Sequence, residues 1–130
     1  MIFEKRAKEP RKGYLAIPGG FVNPDETAEN AVIRECMEEI GFKVNQVSFL
    51  CSFPNTYPYK DIVYKTCDLF FTVKIQNKKL SQIIQEMKAE QSEVSAICIH
   101  QVRTEKDVEA LPIAFESSVK ALKLFVKNTH

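Results

Sequence analysis

Histidine and closely spaced cysteine pairs are scarce in this sequence, which excludes one common kind of metal site. The chain has two histidines, His100 and His130, and four cysteines, none of which form a C-x-x-C pair. Zinc sites are built from such ligands at short spacings, so a zinc site is not expected. Each cysteine lies in an apolar run, which predicts four buried, reduced thiols in a cytoplasmic protein.

Long apolar runs and an excess of one charge are also missing. No apolar stretch reaches the roughly 18 residues of a membrane-spanning helix, and no signal-peptide pattern is present. The 18 Lys and Arg residues and 17 Asp and Glu residues give a formal net charge of +1. This balance argues against a nucleic-acid or membrane-surface binder, so a charge-driven function must come from local clusters.

The 130 residues fit a single domain in which strands dominate. Strands are predicted at residues 1–6, 13–18, 43–53, 62–75 and 94–100, and helices at residues 28–40, 104–111 and 115–126. Thr27 predicts the N-cap of the first helix and Gly41 its end. The segment around Pro58 is predicted as a loop, and residues 76–93 as a loop or a frayed helix. The pattern indicates an α+β fold, with helices on the faces of a mixed sheet.

The first helix carries an unusual cluster of carboxylates. Glu35, Glu38 and Glu39 recur at i, i+3 and i+4, and are predicted to face a cleft or water. The opposite, apolar face is predicted to contain Ile33, Cys36, Met37 and Ile40. Like charges at these spacings cost about 0.2–0.5 kcal/mol per pair. A bound Mg²⁺, which prefers oxygen ligands, would cancel this repulsion, although a solvated acidic face is the alternative interpretation.

The segment from Gly19 to Phe42 resembles the signature of the Nudix hydrolases, G-x5-E-x7-R-E-U-x-E-E-x-G-U, in which U is aliphatic. Its fixed positions are occupied by Gly20, Glu26, Arg34, Glu35, Glu38, Glu39 and Gly41. The U positions hold Cys36 and Phe42, which we interpret as a packing variation. Residues 5–21 and 113–122 also resemble Nudix segments, so the resemblance covers most of the chain.

The resemblance implies one Nudix domain over residues 1–130, folded as an α/β/α sandwich around a mixed sheet. It also implies hydrolysis, dependent on Mg²⁺ or Mn²⁺, of a nucleoside diphosphate linked to another group. Carried over by position, the metal ligands would be Glu35, Glu38, Glu39 and the Gly20 carbonyl. Arg34 would hold the carboxylates in place, and Glu26 would support the junction of loop and helix.

The resemblance leaves the general base open. It would be either a glutamate of the signature or an acidic residue of the loop before the last strand, where this chain offers Glu90 and Glu93. Since every carboxylate of the signature is present, we expect an enzyme. A non-catalytic Nudix domain that senses a nucleotide is the alternative.

The substrate markers of the family are ambiguous in this chain. Pro58 is typical of members that act on ADP-ribose, whereas Tyr57 and Tyr59 are also typical of members that act on dinucleoside polyphosphates. ADP-ribose or a related dinucleotide is the expected substrate, with nucleoside triphosphates as a further alternative. Tyr57 and Tyr59 would stack on the nucleoside or simply pack the loop. Arg6 would bind substrate phosphates, unless it belongs to a solvated strand end together with Glu4.

The chain begins inside the segment that matches the first family strands, so that part of a strand is expected to be missing. A strand edge left open in this way would invite pairing with another chain. We therefore expect a two-fold homodimer with the N-terminal segment near its interface.

Overall fold

The computed structural model describes residues 1–41, 43–74 and 94–129. In these ranges the chain forms strands β1 (Ile2–Arg6), β2 (Leu15–Ala16), β3 (Asn45–Tyr59), β4 (Ile62–Lys74) and β5 (Val94–Ile99). Its helices are α1 (Ala28–Ile40), α2 (Glu105–Glu109) and α3 (Glu116–Thr129). The predicted order of strands and helices is confirmed, and the undecided segment 76–93 lies outside the described residues. None of the helices in the described ranges has the length and apolarity to cross a membrane.

Strand β1 is the middle strand of an antiparallel sheet, with β2 on one side and β5 on the other. Glu4 pairs with Ala16 of β2 and with Ile97 of β5. An isolated parallel bridge joins Leu15 to Ile113, and β3 and β4 form a separate antiparallel hairpin. At Glu4 and Lys5, β1 has neighbours on both sides, so this part of the N-terminal segment has no open edge; the missing part of a strand stays a prediction. The homodimer stays a prediction without that support.

Side chains alternate along β1 and so contribute to two cores. Phe3 is fully buried on one face, in a cluster that α3 completes with Leu122 and Val126. Ile2 packs on the other face against Cys36 and Ile40 of α1. The sheet therefore lies between α1 and α3, which confirms the predicted α/β/α sandwich.

Helix α1 has the predicted bounds, but its faces differ from the prediction. The side chain of Thr27 accepts a hydrogen bond from the backbone N–H of Asn30 at 3.1 Å, and Gly41 ends the helix at φ 70°. Met37, expected in the core, is 47% exposed, so its assignment was wrong. Glu39, expected to face a cleft or water, is 4% exposed because it has polar partners inside the protein.

The β3–β4 hairpin replaces the loop predicted around Pro58. Strand β3 continues to Tyr59, and the chain reverses at Lys60 and Asp61, with Lys60 at φ 55°. The loop prediction relied on the missing N–H of proline, which an edge strand tolerates. Within the described residues, β4 is the one neighbour of β3 in the sheet, so Pro58 fits such a strand.

The four cysteines are all free, but they differ in exposure. Cys36 is buried, Cys51 and Cys98 are half-buried, and Cys67 is exposed. The prediction of burial is therefore wrong for Cys67, because every second side chain in this part of β4 faces solvent.

Candidate active site

Arg34 is the centre of an ion-pair cluster on α1. Its Nε and Nη2 donate hydrogen bonds to the carboxylate of Glu26 at 3.0 and 2.6 Å. Its Nη1 donates to Glu35 at 2.9 Å and to Glu38 at 3.1 Å. Nη2 also donates to the backbone carbonyl of Phe21 at 3.2 Å. One guanidinium therefore joins the loop before α1 to two of the three clustered carboxylates.

Glu26 anchors Arg34 from the loop that precedes α1. Its Oε1 also accepts a hydrogen bond from the backbone N–H of Asn23 at 2.9 Å. The hydrogen bonds from Arg34 and then Asn23 hold the pKa of Glu26 below its ordinary value. In turn, the hydrogen bond to Glu26 raises the pKa of Arg34. Both side chains stay charged around neutral pH, so the guanidinium is held at a fixed place beside Glu35.

Glu39 is held on a different side of the site, by β1 and the backbone before α1. Its Oε2 accepts a hydrogen bond from the backbone N–H of Gly19 at 3.0 Å, and the carboxyl group of Glu4 lies in contact with it, with one Glu4 oxygen, Oε1, buried. Glu4 is 7% exposed, so the interpretation of this residue as part of a solvated strand end is wrong. Burial and the contact with Glu4 raise the pKa of Glu39 far above its ordinary value.

Gly20 lies so close to the carboxylate of Glu35 that it leaves no room for a side chain. A Cβ atom on Gly20 would overlap this carboxylate, with Cδ at 2.7 Å and Oε2 at 2.9 Å. A Cβ atom on Gly19 would find its nearest neighbour, the carbonyl oxygen of Ile17, at 4.0 Å. The close approach of backbone to carboxylate therefore requires glycine at position 20 and not at position 19.

The donor set of this centre fits a hard divalent cation. Carboxylate oxygens and backbone carbonyls are the ligands that Mg²⁺ and Mn²⁺ prefer, and Gly20 brings the backbone next to Glu35. In the described part of the chain, no three acidic, His or Cys side chains already surround one point. Glu35 and Glu38 are bound to Arg34, whereas Glu39 is bound elsewhere. A cation would therefore bind the carboxylate oxygens of Glu35 and Glu38 that Arg34 leaves available.

Arg6 lies in a cluster of aromatic rings. Its Nη2 donates to the hydroxyl of Tyr57 at 3.2 Å, and its Nε donates to the carbonyl of Pro10 at 2.7 Å. The guanidinium carbon lies 5.1 Å from the ring centroid of Phe115 and 5.9 Å from that of Tyr57, within the range of cation–π attraction. Two donor groups of Arg6 are thus engaged within the protein.

Tyr57 connects this aromatic cluster to the carboxylate helix. The centroid of its ring lies 5.5 Å from that of Phe115 and 6.4 Å from that of Tyr59, on which it is stacked. It lies 6.4 Å from the ring centroid of Phe21, in an edge-to-face arrangement. Phe21 belongs to the loop whose carbonyl binds Arg34. Phe21 is 68% exposed and Tyr59 is 44% exposed. Aromatic surface that solvent reaches therefore begins directly beside the ion-pair cluster.

The structure brings the predicted site residues together in two adjacent groups. The acidic centre contains Gly20, Arg34, Glu35, Glu38 and Glu39. The aromatic cluster contains Arg6, Tyr57 and Tyr59. Glu90 and Glu93 lie outside the described residues, and a role of either one as general base stays a prediction.

Glu4, Phe21 and Phe115 join these groups without having been predicted. The alternation of β1 places Glu4 on the same face as the partly buried Ile2, and this is the signal that could have indicated its burial. Phe115 was predicted as the first residue of the last helix, but it precedes the first turn of α3 and contacts Tyr57. For Phe21 the available signal was an aromatic residue directly after the Gly-Gly turn.

Comparison with known proteins places most of the chain in one family. Residues 2–116 match the family model described as NUDIX domain. An ADP-ribose pyrophosphatase from Methanocaldococcus jannaschii is 43% identical over 65 residues, 48% of this chain and 38% of that protein. An 8-oxo-dGTP diphosphatase from Proteus vulgaris is 31% identical over 77 residues, 59% of this chain and 66% of that protein.

Another relative is the NAD-capped RNA hydrolase NudC from Salmonella agona, 44% identical over 48 residues, 37% of this chain and 19% of that protein. The chain thus spans less than two thirds of the length of these relatives. Among solved structures, the NUDIX domain of Shewanella oneidensis NrtR complexed with ADP ribose has a TM-score of 0.74 at 18% identity, covering 99% of this chain and 77% of that one. A MutT NUDIX hydrolase from Burkholderia pseudomallei has a TM-score of 0.64 at 21% identity, with 95% and 85% covered. At these identities the likeness concerns the fold.

Proposed function

Since the chain belongs to the Nudix family, we propose that it hydrolyses the diphosphate bond of a nucleoside diphosphate joined to another group, with Mg²⁺ or Mn²⁺ as cofactor. ADP-ribose or a related dinucleotide is the proposed substrate. The observation that carries this proposal is the position of the aromatic cluster next to the carboxylate helix. Aromatic rings suit a nucleobase, and the acidic centre suits the metal-bound diphosphate.

Some residues of the acidic centre would bind the metal, and others would keep the metal ligands in position. Glu35, Glu38 and Glu39, with the carbonyl of Gly20, would ligate the cation. A bound divalent cation polarises phosphoryl oxygens and stabilises the charge that develops on the leaving phosphate. Arg34, fixed by its ion pairs, would keep the carboxylates oriented.

The proton acceptor of the reaction is proposed to be a glutamate, either in α1 or in the segment before β5. Glu35→Gln would lower metal binding and rate together. A base outside the metal site would lower the rate by about 10²–10⁴-fold at unchanged metal affinity. If Glu90→Gln and Glu93→Gln both keep the wild-type rate, the base belongs to α1.

The nucleoside would be bound by the aromatic cluster. The rings of Tyr57 and Tyr59 are stacked, and Phe21 presents an exposed ring between them and Arg34. Arg6 would reach a phosphate with the donors that Tyr57 and Pro10 leave available.

The test is a hydrolysis screen with identification of the products. ADP-ribose, NADH, diadenosine polyphosphates, nucleoside triphosphates and 8-oxo-dGTP are incubated with the protein and Mg²⁺. We expect a nucleoside monophosphate from ADP-ribose, and loss of its release in Glu38→Gln. The matched control is Glu29→Gln, an exposed glutamate in the first turn of the same helix, which is expected to keep the rate. Equal rates in both variants would contradict the assignment of the carboxylates of α1 to the active site.

A second candidate is a domain that binds ADP-ribose without hydrolysing it. The structural similarity to the NrtR domain, whose structure contains ADP ribose, favours this alternative. Calorimetry with ADP-ribose, followed by analysis of the recovered ligand, separates the two functions. Intact ligand after saturation binding with Mg²⁺ supports the sensing domain.

We also propose a cytoplasmic location, supported by the four free cysteines, and a homodimer in solution. Fractionation of cells and light scattering at several protein concentrations test these two points. A protein that stays monomeric at high micromolar concentration and is fully active contradicts the dimer.

A further inference from the structure

Glu4 occupies a strand position where an apolar side chain would be expected. It lies on the same face of β1 as Ile2, which packs against Cys36 and Ile40 of α1. It is 7% exposed, and its strand is paired on both sides. A buried carboxyl group is unfavourable unless it is paired. The presence of an acid at this position therefore calls for a functional explanation.

We propose that Glu4 is a positioning residue that holds the carboxylate of Glu39 in place for a divalent metal ion. The inference rests on the proposed function, in which Glu39 is a metal ligand. Glu39 has two polar neighbours in the interior: the backbone N–H of Gly19 donates to it at 3.0 Å, and the carboxyl group of Glu4, one oxygen of which is buried, lies against it. Glu39 is itself 4% exposed, so water does not compete for these contacts.

Arg34 does not supply this support, although it holds the other two carboxylates. It donates hydrogen bonds to Glu35 and Glu38. Glu39 follows Arg34 by five residues, which at 100° per residue places it about 140° around the helix. A residue from another element must therefore orient Glu39, and Glu4 is the acid of β1 that contacts it.

A purely stabilising role does not account for Glu4. Two buried carboxyl groups side by side oppose each other's ionisation, and removing one of them relieves this repulsion. Leucine at position 4 would meet Ile2 and the apolar face of α1. The structure thus predicts that stability and metal affinity change in opposite directions when Glu4 is removed.

The experiment measures Mn²⁺ binding without substrate, by the electron paramagnetic resonance signal of the free ion, and thermal melting without metal. Glu4→Leu removes the carboxyl group that contacts Glu39, whereas Glu4→Gln keeps a donor for Glu39. Ile2→Val is the matched control, since it alters packing on the same face and leaves both acids intact. Glu4→Val, which suits a strand, is measured in parallel in case the leucine variant folds poorly.

We expect Glu4→Leu to weaken Mn²⁺ binding by about 10- to 100-fold, the usual effect of removing an outer partner of a metal ligand. Its melting temperature without metal is expected to equal or exceed that of the wild type. Glu4→Gln is expected to bind Mn²⁺ more tightly than Glu4→Leu, and Ile2→Val to bind it as the wild type does.

Three results overturn the proposal, and they are distinguishable. If the wild type itself binds no Mn²⁺, the metal-dependent function fails together with the role of Glu4. If the wild type binds Mn²⁺ and Glu4→Leu or Glu4→Val binds it equally well, only the role of Glu4 fails. If Glu4→Gln is as weak as Glu4→Leu, a hydrogen bond to Glu39 is not the cause.

Discussion

Replacing Gly20 with alanine tests the acidic centre at its tightest contact. The new Cβ would lie 2.7 Å from Cδ of Glu35, whereas ordinary contact begins at 3.4 Å. Cδ must therefore retreat by about 0.7 Å, the difference between these distances, and Oε1, the atom nearest to the new Cβ, must retreat further. The side chain of Glu35 is flexible enough to do so, but its hydrogen bond to Arg34, 2.9 Å long, would be strained or lost. A proposed metal ligand is thus displaced without removing any functional group.

The effect on stability is expected to be small because two terms oppose each other. Gly20 has no positive φ, so alanine is compatible with its backbone and stabilises by about 0.4–1 kcal/mol through the unfolded state. Loss of the ion pair between Arg34 and Glu35, whose side chains are 27% and 14% exposed, costs about 0–1 kcal/mol. The free energy of unfolding should therefore stay near that of the wild type.

The effect on activity is expected to be large. Misplacement of a reacting group by about 1 Å costs roughly 100-fold in rate, so a shift of this size predicts a loss of roughly 10- to 100-fold. The assay is the initial rate of hydrolysis of the best substrate from the screen, with urea unfolding measured in parallel. Gly19→Ala is the control, since its Cβ has room and its backbone N–H is kept. Its rate of hydrolysis should fall much less than that of Gly20→Ala. Equal losses in the two variants, or a wild-type rate in Gly20→Ala, would refute the argument.

Three further outcomes are expected. A thiol reagent should modify the exposed Cys67 first and Cys36 last, because burial raises the pKa of the Cys36 thiol to about 12; equal rates contradict this. Without metal, the stability contribution of Glu39 should be complete below its ordinary pKa of 4.5 and be lost as pH rises, because its raised pKa keeps a proton that the unfolded chain releases. Urea unfolding at pH 5 and pH 8 should therefore show that the free energy of unfolding falls more between these pH values in the wild type than in Glu39→Gln. An equal fall in both proteins contradicts the contact between Glu4 and Glu39. Tyr57→Leu should weaken nucleotide binding by roughly tenfold, since one lost base–aromatic stack costs about 1–3 kcal/mol, and unchanged affinity excludes stacking on this ring.

Local signals explain why α1 could be predicted from the sequence. Its start depends on a hydrogen bond between Thr27 and Asn30, three residues apart, and its end on the left-handed conformation of Gly41. The spacing of the acidic residues is local in the same sense. Helix geometry fixes the contacts between residues three or four positions apart, so these contacts can be predicted from the sequence alone.

Contacts between distant segments explain what could not be predicted. Tyr57 reaches Arg6 only because the β3–β4 hairpin extends beyond the proline that suggested a loop. The burial of Glu39 follows from the pairing of β1 with both of its neighbours, which places Glu4 under α1. Periodicity assigns a glutamate to the solvent side by default, and contacts of Glu39 with Gly19 and Glu4, which are distant in sequence, override that default.

The three carboxylates of α1 are held in two physically different ways. Glu35 and Glu38 each give one carboxylate oxygen to the permanent positive charge of Arg34, and Glu38 is 51% exposed, so that the second oxygen of each would remain for a cation. Glu39 is buried and is held by another acid, whose contact opposes its ionisation. A cation that binds all three would therefore leave Arg34 in place beside Glu35 and Glu38, and would bind Glu39 in the ionised form that burial and Glu4 disfavour without metal. The ion pairs of Arg34 and the raised pKa of Glu39 both lower the repulsion between these acids, so that the chain can fold with them clustered before any metal is bound.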